Sequence, residues 1–223
     1  MSVLTSQGDC NESGLLIDRT PTAHDHERSV HPKPGAQRRS EDQRTRVTTI
    51  VVRVRRVSVV SSRPFEEIVK RLTASIGHPD MNAFQSALAE ARTVADLEEV
   101  VQGAIGSSHL MEFVRFDAGE VLRKELGRQG PKILRLVVGN PLIMKEMAKS
   151  VPDAASYAPV TILVDERSDG VHLSYDSMAS LIAPYGSQAA LVVARDLDAK
   201  IENLLMTAAR SQTDDEEVPN AFS

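Results

Sequence analysis

The sequence predicts an α+β fold, a twisted, mainly antiparallel sheet with helices packed on it, and three observations predict it. Residues 160–176, VTILVDERSDGVHLSYD, alternate apolar and polar residues on both sides of Asp169 and Gly170, as in a β-hairpin closed by an Asp-Gly turn. Further on, Ala190, Ala194, Leu197, Ile201, Leu204 and Ala208 follow steps of four and three, one apolar stripe along a long helix. Upstream, apolar runs of strand length alternate with capped helical segments, so sheet and helices share one interior.

Residues 1–46 mix Pro, Gly, Ser, Thr, His and both charge signs without apolar periodicity, and cannot bury enough area to offset ordering entropy. A disordered tail is expected there, with His24, His26 and His31 incidental rather than a metal site. The apolar pattern starts so abruptly at Val47 that translation beginning near that residue, with the tail an extension of the reading frame, is also an expectation. Ile50, Val52 and Val54 then share one face, and after Arg55 and Arg56 the parity passes to Val57 and Val59, which reads as one strand with a bulge. Arg53, Arg55 and Arg56 fit a solvated face or edge protection better than a phosphate-binding stripe. Ser61, Ser62 and Pro64 announce a helix carrying Phe65, Ile68, Val69 and Leu72 on one side and closed by Gly77.

Residues 79–106 form two short helices. Asp80 caps the first, with Met81, Phe84, Leu88 and Ala91 in register; Thr93 and Asp96 make a capping box for the second, with Leu97, Val100 and Val101 inward. Leu110–Phe116 is a strand interrupted by Glu112 and Arg115, whose odd separation puts them on opposite sides and argues against a mutual ion pair. Asp117 and Glu120 open a helix with Val121, Leu122 and Leu126 that Gly127 stops. Ile133–Val138, nearly continuous in apolar residues, is a central strand. Asn140 as N-cap and Pro141 as first helical residue start a short helix with Met144, Met147 and Ala148 on one face. On the long last helix Asp196 and Lys200 pair opposite the stripe. Residues 211–223, with four acids and no base, form a disordered acidic tail. One α+β domain thus spans 47–210.

At 223 residues and 41% hydrophobic, the chain suffices for one sizeable core. Its formal charge of −5 is uneven, and residues 47–210 are nearly balanced, without the clustered basic face that nucleic acid requires. Cys10 is the only cysteine, so no intrachain disulfide forms and a cytoplasmic setting is expected. No apolar run approaches the roughly 18 residues of a membrane span, and no signal-peptide pattern opens the chain. A soluble protein, bound neither to membrane nor to nucleic acid, is the expectation.

Candidate chemistry is sparse. His172, Ser174 and Asp176 occupy alternate positions of one strand and project in parallel, so no base converges on the hydroxyl; they read as solvent-facing residues of an outer strand rather than a hydrolase triad. Gly139, Asn140 and Pro141 lack the Lys and Ser/Thr of a phosphate loop and the three glycines of a dinucleotide turn, so they are not a nucleotide motif, although a helix N-terminus there still offers N–H groups to a ligand. Tyr157, Tyr175 and Tyr185, the only tyrosines, are either core rings or polar groups of a pocket. No His, Asp or Glu cluster has metal-ligand spacing, and no cofactor is indicated. The candidate ligand-binding set is Asn140, Tyr157, Tyr175 and Asp176.

The stretch LVVGNPLIMKEMAKSVPDAASYAPVTILVDERSDGVHLSYDSMASLI, with Asn140-Pro141 at a strand end and a strand led by Pro159, resembles the domain-of-unknown-function family 302, as does FDAGEVLRKELG upstream. The resemblance covers roughly residues 54–78 and 109–208, and 79–106 looks like an insertion. It implies a compact α+β fold similar to a single repeat of the TATA-binding-protein-like class, and a homodimer. It does not imply DNA binding, since fold analogy carries no function. Many members have Cys where this chain has Gly139, so no thiol chemistry carries over. The expected function is a non-enzymatic module that binds a small ligand or a protein. The alternative is an enzyme on a small organic substrate with Tyr175 or Asp176 as acid–base group.

Overall fold

The computed structural model describes residues 46–126 and 130–210. The expected tails at 1–45 and 211–223, and the expected helix stop at Gly127, lie outside the described residues. The chain divides between Thr48 and Thr49, and the architecture below belongs to the second unit.

In chain order the elements are β1 (Arg56–Ser61), α1 (Phe65–Thr73), α2 (Met81–Glu90), α3 (Val94–Ala104), β2 (Met111–Asp117), α4 (Ala118–Leu126) and β3 (Ile133–Gly139). Then follow α5 (Pro141–Ala148), α6 (Ala154–Tyr157), β4 (Val160–Arg167), β5 (Gly170–Asp176), α7 (Met178–Ile182), a 3-10 turn (Ala183–Tyr185) and α8 (Gln188–Ala209). The strands form a five-stranded sheet in the order β1-β5-β4-β3-β2, every neighbouring pair antiparallel. This is the predicted α+β fold, helices packed on an antiparallel sheet. None of the described helices is long and apolar enough to cross a membrane.

The pleat sorts the side chains. In register across the sheet, Val59, Leu173, Val164 and Leu134 form one row, and Val57, Tyr175, Ile162 and Leu136 the next. These rows join the main buried cluster with Ile68 and Leu72 of α1, Met147 of α5, Met178 and Ile182 of α7 and the α8 stripe. All six stripe residues expected on α8 are buried. A fully buried aliphatic side chain contributes about 1.5–3 kcal/mol, so this stripe is a main source of stability.

The strand expected from Ile50 begins only at Arg56. Its partner explains why: β5 ends at Asp176, opposite Arg56, and Ser177 turns the chain into α7, so residues 50–55 have no strand to pair with. Ile50, Val51 and Val54 are exposed. Nor does Gly77 close α1, which ends at Thr73 with Ala74 as C-cap. Gly77 instead bridges Met111, donating its N–H to the Leu110 carbonyl at 2.9 Å and accepting from the Glu112 N–H at 2.8 Å. A methyl group on it would lie 2.0 Å from the Ala104 carbonyl oxygen.

The α2–α3 pair is capped as expected: Asp80 accepts from the Ala83 N–H at 2.9 Å, and Thr93 and Asp96 close a capping box. Phe84, Val101 and Ala104 bury against Met111 in a second cluster, joined by Phe113 and by Leu142 of α5.

Glu112 and Arg115 overturn a parity argument. Arg115 donates two hydrogen bonds to Glu112, at 2.9 and 2.8 Å, although an odd separation should send the side chains to opposite faces. The register supplies the reason. Glu112 stands opposite Val138 and Val114 opposite Val137, so Phe113 is an extra residue, a β-bulge that inverts the alternation. Beyond the bulge Val114 and Phe116 point to the other face and are about half exposed. Likewise β5 is not an outer strand. It lies between β1 and β4, so His172 and Ser174 are buried rather than solvent-facing. The expected Asp196–Lys200 pair is not formed; no ion pair joins them within 4 Å.

Candidate functional site

Where β5 ends, its last residues meet three other elements. Asp176 lies opposite Arg56 of β1, and Arg56 grips it with two parallel hydrogen bonds, Nε to Oδ1 at 2.7 Å and Nη2 to Oδ2 at 2.8 Å. On the same side of the sheet, β4 presents Thr161 and Leu163, and Leu163 stands opposite Ser174. The short α6 brings Ser156 and Tyr157 over this corner, and α7 brings Leu181. Together they line a cavity of about 340 Å³ that mixes apolar and polar side chains. Tyr157 is fixed by the 3-10 turn: its hydroxyl is 2.8 Å from that of Tyr185, with the rings tilted at 59° and their centroids 6.3 Å apart.

Of the four expected site residues, Tyr157, Tyr175 and Asp176 line this cavity and Asn140 does not. Asn140 is committed to structure. Its side-chain oxygen accepts from the Leu142 N–H at 2.8 Å and its amide donates to the His109 carbonyl at 3.0 Å, capping α5 and tying down the loop before β2. Tyr175 and Asp176 are consecutive on a strand, so they point to opposite faces. Tyr175 belongs to the core row, and its buried hydroxyl lies in the field of Asp198 on α8. It therefore touches the cavity without directing its hydroxyl at Asp176.

The charges here are locked. The hydrogen bonds from Arg56 hold the Asp176 carboxyl below the usual carboxylate range, and Asp176 raises the already high pKa of Arg56. The hydrogen bond to Tyr157, helped by desolvation, pushes the Tyr185 hydroxyl up to about 12. Burial, followed by the negative charge of Asp198, moves the Tyr175 hydroxyl far above the ordinary phenol range. His172 donates or accepts at 2.9 Å with Asp169 in the hairpin turn, not with Ser174, so the three alternating residues do not assemble a triad. Arg55 pairs with Glu202 and Arg56 with Asp176, which breaks up the arginine stripe. Among the described residues no group of three or more His, Cys, Asp or Glu side chains is arranged to hold a metal ion.

Arg56, Thr161 and Leu163 were not anticipated as site residues. Only the cross-strand register brings Arg56 to Asp176, 120 positions away, and no local pattern carries that information. Asp198 was also missed. It is buried on α8 and accepts from the Ser177 hydroxyl at 2.5 Å, the Met178 N–H at 2.7 Å and the Ala179 N–H at 3.1 Å, capping α7 from a neighbouring helix. Its position, four after Ala194 and three before Ile201, lies on the edge of the apolar stripe, a signal that could have found it.

Comparison with known proteins adds the following. The family described as "Domain of unknown function DUF302" matches residues 85–208, from within α2 to the end of α8, so most of the helical pair expected as an insertion lies inside the match. An uncharacterized conserved protein DUF302 from Bacillus stearothermophilus, known from a crystal structure, is similar at 15% sequence identity and a TM-score of 0.49. The similarity covers 70% of this chain and 98% of that one. No curated protein matches.

Proposed function

Since the chain belongs to the DUF302 family, whose description names no activity, we propose its function from its own residues: a non-enzymatic module that binds a small ligand or a protein partner and acts as a homodimer. The observation that carries binding over catalysis is the direction in which three ionisable groups lining the cavity are moved. Asp176 is shifted down, and Arg56 and Tyr175 are shifted up. General acid–base catalysis works best with a group that titrates near the working pH, and each of these is displaced away from neutrality. The enzyme reading, with Tyr175 or Asp176 as acid–base group, has less support, because the two side chains leave the strand on opposite faces. A small amphipathic molecule suits the cavity, its apolar part on Val160, Leu163 and Leu181 and its polar part on Ser174, Thr161 and the Arg56–Asp176 pair.

A thermal-shift screen of small metabolites against the full chain tests this. A ligand at 100 times its Kd stabilises the native state by about 2.7 kcal/mol, a clear rise in Tm. The rise should vanish in Arg56→Ala. That variant stays folded, because an exposed ion pair contributes only about 0–1 kcal/mol. A library that produces no shift, or shifts equal in parent and variant, sinks the reading.

Self-association is supported by β2. It is an edge strand that carries the half-exposed Val114 and Phe116, the following α4 adds the exposed Val121 and Leu126, and an open antiparallel edge accepts a further strand. Sedimentation should give a dimer for the parent and a monomer for Phe116→Lys; a monomeric parent counts against the homodimer. The reading takes residues 47–210 as the folded domain, with 1–46 and 211–223 as tails. It also takes the setting to be cytoplasmic, in keeping with a chain of one cysteine.

A further inference from the structure

A second hollow, of about 500 Å³, lies between the end of α1, the loop that follows α3 and the outer side of α8. Arg71 and Ser75 come from the α1 end, Ser107 and His109 from the loop, and Lys200 and Asn203 from α8, one turn apart. None of the described residues that line it is Asp or Glu. The cavities lined by Arg56, by Arg55 and by Lys132 each contain at least one carboxylate. A hollow that holds Arg71 and Lys200 and no carboxylate among the described residues runs against the sign of a chain whose formal charge is −5.

Five of its polar side chains are also uncommitted. Among the described residues, the side chains of Ser75, Ser107, His109, Lys200 and Asn203 make no hydrogen bond or ion pair. The backbone around them, by contrast, is fastened. His109 holds a left-handed conformation with φ of 58°, one that few residue types tolerate. Its N–H donates to the Gly106 carbonyl at 2.9 Å, and Asn140 donates to its carbonyl at 3.0 Å. Two carbonyls at the end of α1, which would repel an anion, are occupied: Ser75 accepts from both the N–H and the hydroxyl of Ser108, at 3.0 and 2.8 Å, and Thr73 meets the His78 ring at 3.1 Å. Arg71 donates to the Thr207 carbonyl at 3.0 Å, which fixes its guanidinium in the wall.

We propose that this hollow is a second binding site, for a small molecule bearing a phosphate group. A phosphate monoester carries a charge of about −1.5 to −2 and three strong acceptor oxygens, and the hollow offers an ammonium, a guanidinium and several unused hydroxyl, imidazole and amide donors. The Arg56 cavity, lined by the Asp176 carboxylate, does not have that chemistry, so the two sites take different ligands.

Calorimetric titration of the full chain with inorganic phosphate, glycerol phosphate and glycerol tests the assignment. Saturable binding of both phosphate probes, and none of glycerol, is expected. Lys200→Gln should weaken it about tenfold or more, while Arg56→Ala in the other cavity leaves Kd within about twofold. Asn203→Asp, which places a carboxylate in the hollow at an exposed position of α8, should abolish it. The proposal is overturned if neither phosphate probe binds up to about 10 mM, if Lys200→Gln and Asn203→Asp bind like the parent, or if Arg56→Ala loses as much affinity as Lys200→Gln.

Discussion

Gly77→Ala is expected to destabilise the protein by about 3 kcal/mol, at the upper end of what overpacking costs. The new methyl group would meet backbone on every side: the Ala104 carbonyl oxygen at 2.0 Å, the Gly106 nitrogen at 2.8 Å and the Ile105 carbonyl carbon at 2.8 Å. No flexible side chain can give way. The segment cannot simply back off, because the Gly77 N–H, its carbonyl and the Gly106 N–H are all bonded to Leu110 and Glu112 at 2.8–2.9 Å. Moving Gly77 outward would break those bonds and withdraw α2 and α3 from Met111. Urea unfolding of parent and variant measures the loss, and a change under about 1 kcal/mol would show that the contact relaxes. Gly103→Ala is the control. With no atom within 4 Å of the added Cβ and a place inside α3, it should stabilise the helix by about 1 kcal/mol.

Asp198→Ala should cost a similar amount, about 3 kcal/mol, for a different reason. Three donors converge on this buried carboxylate, and its loss leaves the Ser177 hydroxyl and the N–H groups of Met178 and Ala179 without an acceptor in a site closed to water. The first turn of α7 then loses its cap while Met178 and Ile182 remain in the core. Asp198→Asn keeps one acceptor oxygen and should cost about half as much. Equal loss in the two variants, read by the same unfolding measurement, would mean that charge rather than hydrogen bonding carries the interaction.

What was legible in the sequence was local. The hairpin, the caps at Asp80, Thr93 and Asn140, and the α8 stripe all depend on residues within one or two turns of each other, and each is present, although the hairpin turns at Ser168 and Asp169, with Gly170 already paired to Arg167 in the ladder. What was not legible depends on pairing. Residues 50–55 have the alternation of a strand but no partner, and β5 looked like an outer strand because its neighbour β1 is over a hundred residues away. The cavity follows the same rule. Tyr157 and Asp176 were reachable from residue type, whereas Arg56, Thr161 and Leu163 enter it only through register.

The extra residue at Phe113 sets which length changes this domain can absorb. Glu112 and Val114 already face consecutive partners on β3, so deleting Phe113 would close the ladder without altering the phase of any other side chain. Deleting one residue from 114–117 would turn part of the strand inside out. Phe113 also packs against the α2–α3 cluster, so the bulge supplies a side chain that the helical pair buries beside a continuous ladder.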